Sequence, residues 1–423
     1  MSATGMTTDS GRGKQWRAVA AASIGNALEW FDFIVFGFFA GTIAGLFFPT
    51  GNETVSLLLT FATFGITFFV RPLGAIVLGA YADRHGRKAA FVLTILLMMV
   101  GTGIIAVTPS YATIGVFAPI LMVVARLLQG ISAGAEFGSA MAFLAEQNAA
   151  RRGFFASWQF ASQGLTTILV TIVGFVLTST LTPAEMSAWG WRVPFFLGLL
   201  IGPVAYYIRR HVDETPEFRA IKTSERPLQE ALAGAKSRLV VAFGAAVLCT
   251  VGMYTILFMP TYATRQLGLP AAGAFAAGFL SGVIQLALIP VVGALSDRIG
   301  RLPVAFASAI AVLVTIHPLF WWLTASPSLE TLLMVEAIIG LLLAGYMGGL
   351  GALLADLFPT RMRTTGLSIS YSFAVTIFGG FAPFINAWLI GATNNNLAPS
   401  FYLMLAAALS LAALVAARKL GIK

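Results

Sequence analysis

The segment Gly79–Lys88 reads GAYADRHGRK, and 214 residues later Gly293–Leu302 reads GALSDRIGRL. A chain that repeats G-A-x-x-D-R-x-G-R about half its length away is predicted to contain an internal duplication. Each copy follows a long apolar segment, so each is predicted to be a short charged hairpin between two hydrophobic helices. Duplicated membrane helices with charges confined to such hairpins are typical of secondary transporters.

The composition supports a membrane protein. Of 423 residues, 58% are hydrophobic and 10% are charged, whereas soluble domains have roughly 25% charged residues. A sequence pI near 9.9 suggests nucleic-acid binding, but the basic residues are placed between apolar runs that are long enough to span a bilayer. Cys249 is the single cysteine, so no intrachain disulfide is expected. The first apolar segment contains Glu29 and Asp32, which indicates an uncleaved helix rather than a signal peptide.

Twelve spans are predicted, separated by turn signals such as Gly268-Leu-Pro270 and Asn394-Asn-Asn. They cover approximately 17–46, 55–81, 88–107, 112–145, 153–180, 190–209, 239–264, 271–295, 303–324, 331–355, 364–391 and 399–419. The one long polar segment divides them into two halves of six. The predicted organisation is a tail (1–16), a first bundle (17–209), a linker (210–238), a second bundle (239–419) and a short C-terminal tail (420–423).

The basic residues predict the orientation. If the N-terminus is cytoplasmic and the spans alternate, all but four of the 26 Lys and Arg residues lie on the cytoplasmic side. Arg192 and Arg265 fall at outer ends, and Arg71 and Arg126 fall within spans. This asymmetry predicts that both termini are cytoplasmic.

Several motifs together resemble the major facilitator superfamily, and within it the metabolite–proton symporters. They are the two hairpins, Arg126-Leu-Leu-Gln129-Gly130 with Gly134 and Glu136, Glu29-Trp-Phe-Asp32, Arg71-Pro72, Trp189-Gly-Trp-Arg192 and Phe378-Gly-Gly380. The likeness covers the whole chain. It implies an all-α membrane fold of twelve helices in two pseudo-symmetric six-helix halves around a central cavity.

Within that family the chain most resembles bacterial citrate–proton symporters and their tricarballylate relatives. Leu59–Gly65, Ser157–Gln163 and Trp322–Ser326 carry this finer match. The tenth span departs from the pattern at Tyr346-Met-Gly and Ala355-Asp356. Phe358-Pro-Thr with Arg363 is more similar to the dicarboxylate and shikimate branches, so an organic acid of that kind is the alternative substrate.

Ionisable residues inside a membrane are costly and are therefore functional candidates. Arg126, Gln129 and Glu136 share one face of the fourth span, but Arg126 and Glu136 stand roughly 15 Å apart along the axis, too far for a direct pair. Asp32 is the expected partner of Arg126. Binding of a substrate carboxylate by the planar guanidinium is favoured over a purely structural Arg–Asp pair.

Proton coupling requires a carboxyl group that binds and releases a proton near the working pH, and burial favours its neutral form. Asp32, Glu136 and Glu29 are the candidates, with a hydrogen bond to a neighbouring helix as the alternative role of Glu136. The predicted substrate-binding residues combine Arg126 with neutral polar groups. These are Asn26, Gln129, Gln159, Ser162, Gln163, Tyr254, Gln285, Tyr346, Tyr371 and Asn386.

The repeated hairpins are predicted to act as gates. Asp83 can accept hydrogen bonds from a neighbouring helix N-terminus, and the basic residues can pair with acidic groups at span ends. The predicted gating residues are Asp83, Arg84, Arg87, Lys88, Glu146, Asp297, Arg298 and Arg301. Read alone, each hairpin is a plain cytoplasmic charge cluster, but its repetition at the same topological point favours gating.

Together these features predict a monomeric, multi-pass transporter of the bacterial inner membrane that takes up citrate or a related tricarboxylate with protons. No cofactor, metal site or nucleic-acid partner is expected. An integral-membrane enzyme is disfavoured because the chain has no nucleophile–base pair or cofactor motif. A drug–proton antiporter shares the hairpin motifs, but an arginine among neutral amides suits an anion better than a lipophilic cation.

Overall fold

The computed structural model describes residues 9–85, 87–133, 136–210 and 235–422, and every regular element in these ranges is a helix. The helices up to Arg210 form the first half of the chain, and those from Lys236 form the second half. The first half contains α1 (Asp9–Phe38), α2 (Ala40–Phe47), α3 (Glu53–Phe69), α4 (Arg71–His85), α5 (Arg87–Val107), α6 (Tyr111–Ile114), α7 (Phe117–Ser132), α8 (Glu136–Glu146), α9 (Arg152–Thr180), α10 (Pro183–Ala188) and α11 (Val193–Arg210). The second half contains α12 (Lys236–Arg265), α13 (Ala271–Ile299), α14 (Arg301–Ala325), α15 (Leu329–Asp356), α16 (Arg363–Ala374), α17 (Ala382–Thr393) and α18 (Ala398–Lys419).

Ten helical segments in the described ranges are long and apolar enough to cross a membrane. Two shorter apolar helices, Val92–Val107 and Gly190–Leu200, lie where the third and sixth spans are predicted. The all-helical membrane architecture is therefore confirmed. The predicted linker lies mostly outside the described residues, although α12 already begins at Lys236 within its predicted range.

Several predicted spans are broken helices rather than continuous ones. The second span is interrupted at Val70 because Pro72, at the second position of α4, lacks the N–H that a continuous helix would need. The fourth span is described as α7, which ends at Ser132, and α8, which begins at Glu136. A π-helical turn at Val375–Gly379 separates α16 from α17 next to a pair of glycines. In addition, α1 begins at Asp9, about two turns before the predicted start.

The two halves approach each other most closely along α9 and α13. A Cβ atom on Gly153 would collide with the Gly293 backbone, and one on Gly164 would approach the Gly282 carbonyl to 3.0 Å. Glycine is therefore needed where these helices pack backbone to backbone. On the other side of the bundle, Thr376 within the π turn donates a hydrogen bond of 2.9 Å to the Phe68 carbonyl. These two seams enclose the centre of the molecule.

Candidate functional site

Arg126 lies on α7 with no solvent exposure. Its Nη1 donates to the Gln129 side-chain oxygen at 2.8 Å and to the Phe33 carbonyl at 3.2 Å. The guanidinium also lies over the rings of Phe36 and Phe64, 4.8 and 5.1 Å from their centroids. Its Nε and Nη2 have no hydrogen-bond partner among the described residues. One edge of this buried cation is therefore anchored, and the other edge is available to a ligand.

Asp32 does not pair directly with Arg126 as expected. No acidic oxygen within the described ranges lies within 4.0 Å of the Arg126 guanidinium. Gln129 and Thr102 lie between the two residues instead: Gln129 donates to the Thr102 hydroxyl at 2.9 Å, and Thr102 is the polar side chain beside Asp32. The two charges still act on each other electrostatically.

The Asp32 carboxyl group points into the interior of the first half. It is 5% exposed, and its Oδ1 has no hydrogen-bond partner in the described part of the chain. A Cβ on Gly198 of α11 would collide with this oxygen, so glycine at that position makes room for the carboxyl group. Asp32 is thus a buried acid that contacts α5 and α11 rather than the second half.

Other buried polar groups also lack partners among the described residues. Tyr254 of α12 lies edge-on to Phe64 and Phe68, and its hydroxyl makes no hydrogen bond although it is an electrostatic neighbour of Arg126. Gln163, Ser370 and Asn386 likewise have unpartnered side-chain atoms. Because buried polar atoms are normally satisfied, such a group of exceptions is typical of a site that a polar ligand completes.

Besides Gln129, five of the predicted binding residues have partners within the protein instead. Asn26 donates to Ser162 at 2.7 Å and accepts from Gln159 at 3.0 Å, which ties α1 to α9. Tyr346 donates to the Ala245 carbonyl at 2.7 Å. Gln285 donates to the Ser281 carbonyl one turn earlier, at 3.3 Å. In this conformation these groups stabilise helix packing.

The remaining residues of the predicted site are Tyr371, Glu29 and Glu136. Tyr371 stacks on Phe137 with ring centroids 3.4 Å apart and lies beside Gln163, so it joins the two halves. Glu29 is half-buried on α1. Glu136 is the first residue of α8, and its side chain lies outside those that the structure describes.

Asp297, from the second copy of the repeat, caps a helix of the opposite half. Its carboxylate accepts hydrogen bonds from the backbone N–H groups of Gly153 and Phe154, at 2.7 and 3.0 Å. These donors are at the N-terminus of α9, where backbone N–H groups are otherwise unsatisfied and the helix dipole favours a negative charge. The second hairpin is therefore bound to the first half of the molecule.

Two ion pairs reinforce the contact at this end. Glu146 pairs with Arg363 at 2.7 Å, and Arg152 pairs with Asp356 at 2.6 Å, each joining the two halves. Asp356 also pairs with Arg301. We call the set Glu146, Arg152, Asp297, Asp356 and Arg363 the latch.

Three members of the latch were not predicted from the sequence: Arg152, Asp356 and Arg363. Asp356 and Arg363 do stand out in the sequence, because the chain departs from the citrate-like pattern at these two positions. That departure was the signal that could have identified them. The predicted gating residue Arg298 is exposed and makes no ion pair with a described residue. The side chains of Asp83, Arg84, Arg87 and Lys88 lie outside the described ones.

At the opposite end of the bundle a cavity of about 450 Å³ lies between the halves, lined by residues that include Phe38, Thr42, Thr264 and Phe275. Arg265 forms its basic wall, with one nitrogen 3.0 Å from Glu53 and another 3.2 Å from the Gly41 carbonyl. Both ends of the molecule therefore have contacts between the halves, and Arg126 is shut off from solvent. No group of three His, Cys, Asp or Glu side chains in the described ranges could hold a metal ion.

A bundle of two helical halves that encloses a buried arginine is the architecture expected of a transporter of the major facilitator type. The structure is similar to a solved D-xylose–proton symporter with a TM-score of 0.74 and 17% identity, covering 95% of this chain and 96% of that one. It is also similar to the partially occluded inward-open xylose transporter XylE of E. coli, with a TM-score of 0.71. At these identities the likeness concerns the fold.

The chain belongs to the sugar (and other) transporter family, whose model matches residues 18–238 and 224–417. It is 39% identical to a citrate–proton symporter of Salmonella typhi, over 96% of this chain and 95% of that protein. It is 38% identical to a citrate–proton symporter of Klebsiella pneumoniae, over 92% and 89% of the two chains. An alpha-ketoglutarate permease of Escherichia coli is 34% identical over 90% and 88%.

Proposed function

We propose that this protein takes up citrate or a related tricarboxylate together with protons across the bacterial inner membrane. The similarity to two citrate–proton symporters along almost the entire chain supports this function. The site adds a physical reason, because a buried guanidinium with an unpartnered edge lies near the unpartnered Tyr254 hydroxyl.

The observation that carries the proposal is the unpartnered edge of Arg126. Nε and Nη2 form the side-on fork of a guanidinium, and this pair of donors matches the two oxygens of a carboxylate. Leaving them buried and unsatisfied is costly, so an anionic ligand that fills the position gains the full charge-assisted interaction. Tyr254, Gln163 and Asn386 would bind the remaining carboxyl and hydroxyl groups.

Asp32 is our proposed proton carrier. It is buried near Arg126 but not paired with it, so its charge is only partly compensated, and an arriving anion that engages Arg126 would weaken that compensation further. Protonation of Asp32 would then accompany substrate binding through the chain Gln129–Thr102. Glu136 and Glu29 remain alternative carriers.

A dicarboxylate is the second candidate substrate, favoured by the alpha-ketoglutarate permease among the relatives. Competition separates the candidates. In proteoliposomes with an inward proton gradient, we expect excess unlabelled citrate or tricarballylate to suppress uptake of labelled citrate more strongly than alpha-ketoglutarate does. Stronger suppression by alpha-ketoglutarate would reassign the substrate, and no citrate uptake at all would contradict the proposal.

We further propose that the latch is the cytoplasmic gate of an alternating-access cycle, with both termini on the same side. Asp83 occupies the same position in the first hairpin as Asp297 does in the second. The repeat therefore predicts that Asp83 makes a contact that matches the one made by Asp297. Asp356 is the most connected described member of the latch because it pairs with both Arg152 and Arg301. Opening of this end requires these pairs to separate.

Substitution Asp356→Asn is expected to favour the state that is open at the latch. The reporter is a cysteine at Ser157, which is buried against Gly293 in the α9–α13 seam. The substitution removes a charge-assisted contact worth about 1.5–3 kcal/mol. We therefore expect a water-soluble maleimide to label the cysteine at position 157 roughly tenfold faster or more. Arg418→Gln, an exposed charge on α18, is the control, and an equal rate in the two variants would reject the gating role.

A further inference from the structure

The second half contains a buried acid that the proposed mechanism does not use. Glu336 lies on α15 with no solvent exposure, and both of its carboxyl oxygens lack a hydrogen-bond partner in the described part of the chain. Gly340, one turn further along α15, is close enough to α13 that a Cβ atom would lie 2.8 Å from the Ser281 hydroxyl oxygen. Glu336 and Gly340 therefore share the face of α15 that packs against α13.

The neighbours of Glu336 are neutral. Ser281 of α13 is the polar side chain beside the carboxyl group, and Gln285 lies one turn further, with its amide nitrogen 3.4 Å from the Ser281 hydroxyl oxygen. The helices α8, α9, α12, α13, α14 and α16 pack on α15. Their described charged residues lie near the helix ends, and the interior titratable groups on these helices and on α15 are Cys249, Tyr254, His317, Tyr346 and Tyr371. None of these charged or titratable groups is an electrostatic neighbour of Glu336.

A carboxylate in such a place has nothing to stabilise its charge. Burying an unpaired charge inside a membrane protein is costly. The neutral acid avoids this cost and can donate a hydrogen bond to the Ser281 hydroxyl. In the closed conformation described above, Glu336 is therefore expected to hold a proton.

The position of this group connects it to the movement of the two halves. Gln285 and Ser281 lie on α13 next to Gly282, which meets Gly164 of the first half in the seam. Separation of the halves along α9 and α13 would let water reach this part of α13. Hydration would stabilise the charged form of Glu336 and allow its proton to leave.

We propose that Glu336 is a second proton-binding site, in the second half, which is loaded in the closed state and releases its proton when the seam opens. The inference rests on the proposed proton-coupled uptake and adds to it one transported proton per cycle. Glu336 is assigned no contact with the substrate. Citrate–citrate exchange, which moves no net protons, therefore does not require Glu336 to bind and release a proton.

The test compares wild type, Glu336→Gln and Glu330→Gln in proteoliposomes held at zero membrane potential with an inward gradient of one pH unit. Glu330 is an exposed acid in the first turn of the same helix and is the matched control. One coupled proton contributes about a tenfold accumulation ratio per pH unit. We expect Glu336→Gln to lower the steady-state citrate ratio about tenfold and to keep citrate–citrate counterflow. Glu330→Gln should match wild type in both measurements.

An unchanged accumulation ratio in Glu336→Gln would overturn the inference. Loss of counterflow in that variant would overturn it too, because the neutral amide reproduces the protonated state. Glu336→Asp, which retains a titratable carboxyl group, covers the case in which the glutamine variant does not fold. It should keep the wild-type ratio, and a tenfold loss would reject the assignment. Absence of proton-driven uptake in wild type would instead contradict the proposed function.

Discussion

Replacing Arg126 with lysine is expected to weaken citrate binding by roughly 30- to 150-fold. Lysine keeps the positive charge but replaces the planar fork of Nε and Nη2 with a single ammonium group, so the bidentate contact with a carboxylate is lost. A charge-assisted bond of this kind is worth about 2–3 kcal/mol, which corresponds to the stated loss of affinity. Isothermal titration of detergent-solubilised protein with citrate measures the effect.

The control for this prediction is Arg418→Lys, because Arg418 is an exposed residue near the end of α18, remote in sequence from the site. The control variant should bind citrate as wild type does. Lysine also loses the contacts of Arg126 to Phe33 and Gln129, so the melting temperature of each variant without citrate must be compared. Wild-type citrate affinity in a folded Arg126→Lys variant would place Arg126 among the structural residues.

Neutralising Asp32 is expected to separate substrate exchange from accumulation. A carrier that has lost the proton-binding group next to the substrate site can still exchange citrate for citrate, but it can no longer couple a proton gradient to citrate. Asp32→Asn should therefore abolish gradient-driven accumulation and leave part of the counterflow. Both are measured in the same proteoliposomes, with Glu330→Gln as the variant that removes an exposed acid.

If Asp32→Asn accumulates citrate at the wild-type level, Asp32 is excluded as the proton carrier. Glu136 and Glu29 are then the remaining candidates. Loss of counterflow as well would assign Asp32 to binding or folding. The distinction from Glu336 is quantitative. Glu336 is assigned no substrate contact, so its proton is coupled to citrate only through the Arg126–Asp32 site, and the Asp32 variant should lose coupling altogether. The Glu336 variant should lose one proton's share of the coupling.

The sequence predicted much of the architecture because the signals involved are local. Each of these signals can be read from a short stretch of sequence: the apolar runs, the turn residues between them and the repeated hairpin. Twelve spans were predicted, and the described residues contain ten long and two short apolar helices at those places. The break at Val70 was missed because a continuous apolar run masks the effect of Pro72. The periodicity also placed Arg126 and Gln129 on one face, and they do form a hydrogen bond.

The pairing of buried polar groups was less predictable because it depends on contacts between helices distant in sequence. Asp32 was expected to face Arg126, yet the absence of a side chain at Gly198 lets it turn toward α11. Asn26 and Gln159 had the composition of a binding site, but they satisfy each other. Arg363 lies 217 residues from its partner Glu146, and no periodicity links the two.

The most direct test of proton-coupled citrate uptake is the direction of proton movement. Purified protein is reconstituted into vesicles that enclose a pH-sensitive dye, and an inward citrate gradient is applied with no initial pH difference. A symporter carries protons inward with citrate, so we predict acidification of the lumen that is absent from protein-free vesicles and from vesicles with Asp32→Asn. Alkalinisation, or citrate entry with no change in luminal pH, would contradict the account.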